Sequence, residues 1–206
     1  MVNLMIKLFF YLNIVEWVKK LSDYFTKLYF NSHNDQTKWI KVRRNRNIAI
    51  DIFILLKYLF ILFILFNDIN NMNIQMIVWY LIISNVFTYF YYHLWCEDAL
   101  LDRHLTINRV RRKFINLFIS IGFMMLSYVY LYYSQTPEHF TIGNKHENNK
   151  YLIFFINSIT RSFAINYDSL KSSDDIGVAI EISQVLNMFI FVTLIVAKSL
   201  PKANSE

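Results

Sequence analysis

Four long apolar stretches, separated by short polar or charged ones, dominate the pattern along the chain. "IAIDIFILLKYLFILFILF" occupies residues 48–66 and "IQMIVWYLIISNVFTYFYYHLW" residues 74–95. "FINLFISIGFMMLSYVYLYY" follows at 114–133, and "IGVAIEISQVLNMFIFVTLIVAKSL" at 176–200. A helix needs about 20 mostly apolar residues to cross a bilayer, so each stretch predicts one membrane span. A fifth apolar run, "YLIFFI" at 151–156, is far shorter than the roughly 17 residues a span requires. It predicts a re-entrant or interfacial segment between spans three and four. Irregular backbone at that depth is tolerated only where protein buries it or water lines it.

The N-terminal region carries a different periodicity. Val15, Val18, Leu21, Phe25 and Leu28 recur at helical spacing, with Glu16, Lys19, Lys20, Asp23 and Lys27 on other faces. This predicts an amphipathic helix at the membrane interface, serving as an anchor or as a gating helix that pulls on the first span. "LMIKLFFYLNIV" has no basic segment before it and no small-residue cleavage site after it, so it is expected to stay on the chain. The expected fold is an all-α membrane protein. Its segments are a cytoplasmic amphipathic and basic region (1–47), a first two-helix hairpin (48–95), a cytoplasmic linker (96–113), a pore-module-like domain (114–200) and a cytoplasmic tail (201–206).

Composition supports the membrane class. Of 206 residues, 55% are hydrophobic and only 17% charged, too few to coat a soluble surface of this size. The +6 net charge is distributed as topology requires. Lys38, Lys41, Arg43, Arg44 and Arg46 precede the first span; Arg103, Arg109, Arg111, Arg112 and Lys113 lie between the second and third; Lys198 and Lys202 close the fourth. The positive-inside bias places these segments and both termini in the cytoplasm, most simply of a bacterial cell membrane. The same basic groups are candidate docking sites for anionic lipid or a cytosolic partner, and no nucleic-acid partner is expected.

Candidate chemistry is sparse. Cys96 is the single cysteine, which excludes an intramolecular disulfide and a cysteine-based metal site. His139 and His146 beside Glu138 and Glu147 lack fixed helical spacing and read as a solvated loop, so no metal is expected. There is no glycine-rich phosphate loop, G-x-S-x-G or H-E-x-x-H. Ser84 and His93 form the only loose nucleophile and base pair, about 14 Å apart along a helix. Neither enzymatic activity nor a cofactor is expected. Lys57, near the middle of span one, should face protein or snorkel.

The segment between spans three and four contains "FINSITRSFAINYD" at 155–168. It resembles the pore helix and filter of the potassium channel superfamily, whose pattern is close to Y-F-S-x-x-T-x-T-T-x-G-Y-G-D. Thr160 and Asp168 match, and Phe155 and Ser162 are conservative replacements. The outer stretch "RRKFINLFISIGFMMLSYVYLYY" and the inner stretch with Gln184 are similar to the outer and inner helices of small bacterial members. The resemblance spans about residues 111–200. It implies that Thr160, Arg161, Ser162, Phe163, Ala164, Ile165, Asn166, Tyr167 and Asp168 stand where a filter stands, in a symmetric homotetramer.

The pattern departs where it matters for potassium. Ile165 and Tyr167 occupy the two glycine positions, and an isoleucine at positive φ would be an outlier. The expectation is a wider, less selective constriction lined by Asn166, Ser162 and Thr160, or a closed plug. Arg161 would oppose cations unless paired with Glu181 or Asp168. Two functional classes follow: a homo-oligomeric ion-channel-like pore with a non-standard filter, or a non-conducting membrane sensor or scaffold. The second, for example in a bacterial phage-defence or stress system, would signal to a cytosolic partner.

Overall fold

The computed structural model describes residues 10–29, 35–91, 107–143, 150–165 and 169–199. The chain divides into two compact units, Met1–Asn67 and Asp68–Glu206.

The first unit is a helical hairpin of α1 (Ile14–Tyr29) and α2 (Asp35–Phe66). Asn13 opens α1 by accepting a hydrogen bond from the Val15 N–H through its Oδ1 at 3.0 Å, a side-chain N-cap. The 32 residues of α2 extend about 48 Å, well beyond the roughly 30 Å hydrocarbon core. Helix therefore begins in the basic segment and runs without a break into the first apolar stretch. Lys57 is buried.

The contacts between α1 and α2 reverse the usual sense of an amphipathic pair. Glu16 and Thr26 are the buried residues of α1. Arg46 Nε donates to Asp23 Oδ1 at 2.9 Å, and its Nη2 reaches the other carboxylate oxygen. Asn45 Nδ2 donates to Thr26 Oγ1 at 3.1 Å. The apolar residues face outward, with Trp17 56%, Tyr24 62%, Phe25 63% and Leu28 66% exposed. In water this arrangement would forgo about 1.5–3 kcal/mol for each large apolar side chain left uncovered. The polar seam and the open aromatic face together fit a helix whose surroundings are themselves apolar.

The second unit contains three long helices: α3 (Met72–Phe90), α4 (Ile107–Ser134) and α6 (Asp175–Ser199). A shorter helix, α5 (Lys150–Ser162), and two strands, β1 (Phe140–Ile142) and β2 (Leu170–Ser172), lie between α4 and α6. Helices α3 and α4 run antiparallel, joined by Asn85 and Ser120, which exchange bonds of 3.3 and 3.0 Å, and by Tyr89, whose hydroxyl donates to Asn116 O at 2.6 Å. At the other end of this pair Gln135 Nε2 donates to Gln75 Oε1 at 2.7 Å and Asn70 Nδ2 to Ser134 O at 2.8 Å. Asn71 caps α3 by accepting from the Asn73 N–H at 3.0 Å. The polar run at 67–73, which carries no positive charge, thus supplies caps and cross-links.

Four helices, over Trp39–Phe66, Met72–Phe90, Phe114–Ser134 and Asp175–Thr193, are long and apolar enough to cross a membrane. The chain is accordingly a mostly helical integral membrane protein. The expected second span runs to residue 95; α3 covers Met72–Phe90, and residues 92–95 lie outside the described residues. Among the described residues, the exception to an all-helical architecture is the antiparallel pair β1 and β2, in which Phe140 faces Ser172 and Ile142 faces Leu170. Three-residue strands leave too short an alternation to be read from sequence.

Candidate functional site

Helix α5 leaves the β1 strand and the chain returns to β2, so both ends of residues 143–169 are clasped by one ladder. Its 13 residues span only about 20 Å. One face, Ile153, Phe154, Asn157, Ser158 and Ser162, is buried, in the i, i+4 rhythm of a helix packed on one side. Ser158 Oγ donates to Met125 O on α4 at 2.7 Å. Met125 lies about 13 Å along α4 from Ser134, so this contact falls a little short of half-way along the apolar part of that helix, Phe114–Ser134.

Gln184 of α6 fastens the same point from the other side. Its Nε2 lies 2.6 Å from Ser158 O, 3.1 Å from Ser158 Oγ and 2.9 Å from Ser162 Oγ. Its Oε1 accepts from the Tyr132 hydroxyl at 2.6 Å. One carboxamide therefore joins α4, α5 and α6. Tyr132, like Tyr128 and Tyr130 on the same helix, is fully buried. The Tyr128 hydroxyl shares a hydrogen bond with Ser183 Oγ at 2.9 Å and accepts from Asn187 Nδ2 at 2.8 Å. Tyr130 donates to Ile69 O at 3.2 Å. Among the described residues, the fully buried Asn157 amide has no hydrogen-bond partner for either its nitrogen or its oxygen.

Arg161 pairs with Glu181: Nη2 and Oε1 are 3.0 Å apart, and both side chains are largely shielded. The other expected partner, Asp168, lies outside the described residues, as do Asn166 and Tyr167. Thr160 and Ser162 remain helical, their hydroxyls donating to Ile156 O at 2.9 Å and Ser158 O at 2.8 Å. Ser162 is turned into the protein toward Gln184, whereas Phe163, Ala164 and Ile165 are exposed.

The helix ends in a closed cap. The Ile165 N–H donates to Thr160 O at 2.9 Å and the Ala164 N–H to Arg161 O at 2.9 Å, the paired bonds of a Schellman motif. Ala164 takes the left-handed position at φ 56°, where glycine is usual. The positive φ anticipated as a problem at Ile165 thus falls one residue earlier, on the smallest side chain that carries a Cβ.

Polar contacts also fix both ends of this arrangement. Asp174 Oδ1 accepts from the Gly177 N–H at 2.9 Å, capping α6, while Oδ2 lies 2.6 Å from His139 Nδ1. The Gly177 bond, with lesser help from His139, holds the Asp174 carboxyl below the usual carboxylate range. A Cβ on Gly177 would lie 2.5 Å from His139 O, so glycine is needed for α6 to approach this turn. Near the start of α5, Tyr151 and Tyr133 both donate to Asp68 Oδ1, Tyr133 at 3.0 Å. The Tyr151 bond, and then that from Tyr133, lower the Asp68 pKa; reciprocally, Asp68 pushes the Tyr151 phenol up to about 12.

The expected docking residues fall into two groups. Lys38, Lys41, Arg43, Arg44 and Arg46 lie on the first turns of α2, with Arg46 engaged by Asp23. Arg109, Arg111, Arg112 and Lys113 lie on the first turns of α4. Among the described residues no cluster of His, Cys, Asp and Glu is suited to a metal; His146, Glu147 and His93 lie outside them. No protein-family model matches the chain, and neither the curated proteins nor the solved structures yield a match.

Sequence reasoning named Arg161, Glu181 and Gln184 but missed Tyr132, Ser158 and Asn157. Polar residues recurring at 157, 158, 161 and 162, the spacing of one helix face just after the apolar run 151–156, were the available signal, since polar side chains packed against neighbouring helices usually find hydrogen-bond partners there.

Proposed function

We propose that the chain is the pore-forming subunit of a homotetrameric ion-channel-like protein in a bacterial cytoplasmic membrane, with both termini cytoplasmic. Residues 143–169 form its re-entrant segment. The observation that carries the reading is the half-depth helix α5, clasped at its base by β1 and β2 and fastened at mid-depth by Gln184. A helix too short to span, held between two that can, has its exposed tip available to meet symmetry mates. The resemblance of residues 155–168 to a potassium channel pore segment points the same way. With isoleucine and tyrosine in place of the glycines, the passage is less selective than a carbonyl-lined potassium filter.

The Arg161–Glu181 pair neutralises the arginine that would otherwise repel cations. Cations are therefore the favoured permeant class. The test is ion flux through the purified protein in liposomes, with reversal potentials read in potassium, sodium and chloride gradients. Currents whose selectivity shifts in Arg161→Ala or Asn166→Ala support the pore. Silence from well-folded oligomers across the voltage range rejects it.

A second reading, a non-conducting membrane sensor or scaffold with a cytosolic partner, draws on the closed cap of α5. Its terminal carbonyls at Thr160 and Arg161 are bonded within the cap. Apolar Phe163 and Ile165 are exposed at its tip. Silent oligomers that capture a cytosolic protein through the basic segments would favour it.

A further inference from the structure

We infer that the outward face of α1 and the exposed arginines beside it on α2 form a binding site for anionic phospholipid, with α1 embedded in the leaflet at the basic end of α2. This rests on the bilayer assignment and not on conduction, so a silent flux assay leaves it standing.

The occupant follows from register, charge and continuity with the span. Asp23 meets Arg46, Thr26 meets Asn45, and Lys27 Nζ lies 5.6 Å from the Trp39 ring centre. Rising numbers on α1 meet falling numbers on α2, so the helices are antiparallel. Trp17, six residues before Asp23, therefore lies about 9 Å farther along α2, beside the apolar run that begins at residue 48. The exposed face crosses from acyl-chain level to headgroup level, where amphipathic aromatic side chains concentrate.

Helix α1 cannot simply roll to cover this face, because its opposite side is bound to α2 through the Asp23 and Thr26 contacts. At the headgroup end Arg43 and Arg44 are exposed. Lys20, 5.2 Å from the Tyr11 ring and 5.7 Å from that of Trp17, keeps a cation on the flank of the apolar face. Apolar side chains at acyl depth with cations at the rim match a lipid carrying a negative headgroup. They do not match a soluble partner, which would have to displace acyl chains at the Trp17 level.

The test uses the full chain with Trp17 as the sole tryptophan (Trp39→Phe, Trp79→Phe, Trp95→Phe), reconstituted with phospholipids brominated on their acyl chains. Brominated phosphatidylglycerol should quench Trp17 more strongly than brominated phosphatidylcholine at equal mole fraction. Arg43→Gln and Arg44→Gln should each lower that preference, by about fivefold in relative lipid affinity, while quenching by phosphatidylcholine persists. A Trp17 that neither lipid quenches is covered by protein or water and overturns the proposal. Equal quenching by both lipids overturns the headgroup assignment. Native mass spectrometry of the chain with all its tryptophans, released from mixed nanodiscs, gives an independent measure. Retained phosphatidylglycerol that is lost in Arg43→Gln/Arg44→Gln supports the site, and equal retention of the two lipids counts against it.

Discussion

Gln184 occupies a position where one side chain determines how three helices meet. Its carboxamide accepts from Tyr132 and donates to α5, so removing either partner strands buried polar atoms. Tyr132→Phe and Gln184→Leu should each lower unfolding stability in detergent by about 1–3 kcal/mol. Because they act on one network, the double variant should lose less than the sum, a shortfall a double-mutant cycle measures directly. The Arg161–Glu181 pair follows similar logic. Arg161→Met or Glu181→Leu alone leaves a shielded charge without its partner, whereas the double substitution removes both charges. Thermal melting should therefore place the double variant above either single one. Gly177→Ala tests a steric demand instead: its new Cβ meets a backbone oxygen that cannot swing aside. A loss of about 1–3 kcal/mol is expected, as for other overpacked positions.

At the scale of elements, α6 depends on its Asp174 cap. The folded-state pKa of this group is lowered, so it contributes stability fully above its ordinary value of 3.8 and loses it as pH falls through the lower folded value. Asp68 has the same sign. Tyr151 has the opposite one: its raised pKa contributes stability below pH 10.0, which is lost as pH rises through about 12. Melting curves from pH 5 down to pH 2 should fall more steeply for the unsubstituted chain than for Asp174→Asn, whose remaining amide does not titrate. A parallel fall in both would show that the cap carries no such linkage.

The elements also divide what could be read beforehand from what could not. The four long apolar helices were legible because bilayer thickness imposes a minimum length on any apolar run that spans it. The α1 stripe was legible as a stripe, but periodicity cannot say which side a neighbour covers, and here the polar side of Asp23 and Thr26 is taken. The unbroken passage from the basic segment into the first span was likewise hidden, since charge marks the membrane boundary without ending a helix. The hydroxyl partners of Tyr128, Tyr130 and Tyr132 depend on distant residues brought close by folding, so no local pattern reveals them. Within the candidate site, Arg161 and Glu181 stood out as charges in apolar surroundings; Ser158 and Asn157 had no such contrast.

For the whole molecule, the proposed function turns on assembly. Exposed apolar residues on α6, among them Ile182, Leu186 and Phe189, can face lipid, a symmetry mate or both. A single α5 cannot enclose a passage, so the pore reading requires a closed ring of copies. On the pore reading, mass measurement in nanodiscs should give four chains per particle, and Leu186→Trp, placed on this face, should lower the tetramer fraction if the face joins copies. A monomer at all accessible concentrations would remove the pore reading at once.

The short ladder between β1 and β2 also gives the chain a modular character. Its register brings Ile142 and Leu170 together, so the stretch between them enters and leaves at one fixed doorway. The entropic cost of closing such a loop rises only slowly with its length. Evolution could therefore lengthen, trim or replace this insert while leaving the surrounding helices in register, and a laboratory graft need only match the doorway. The fold would serve as a chassis, and the interchangeable part would decide what passes, or whether anything does.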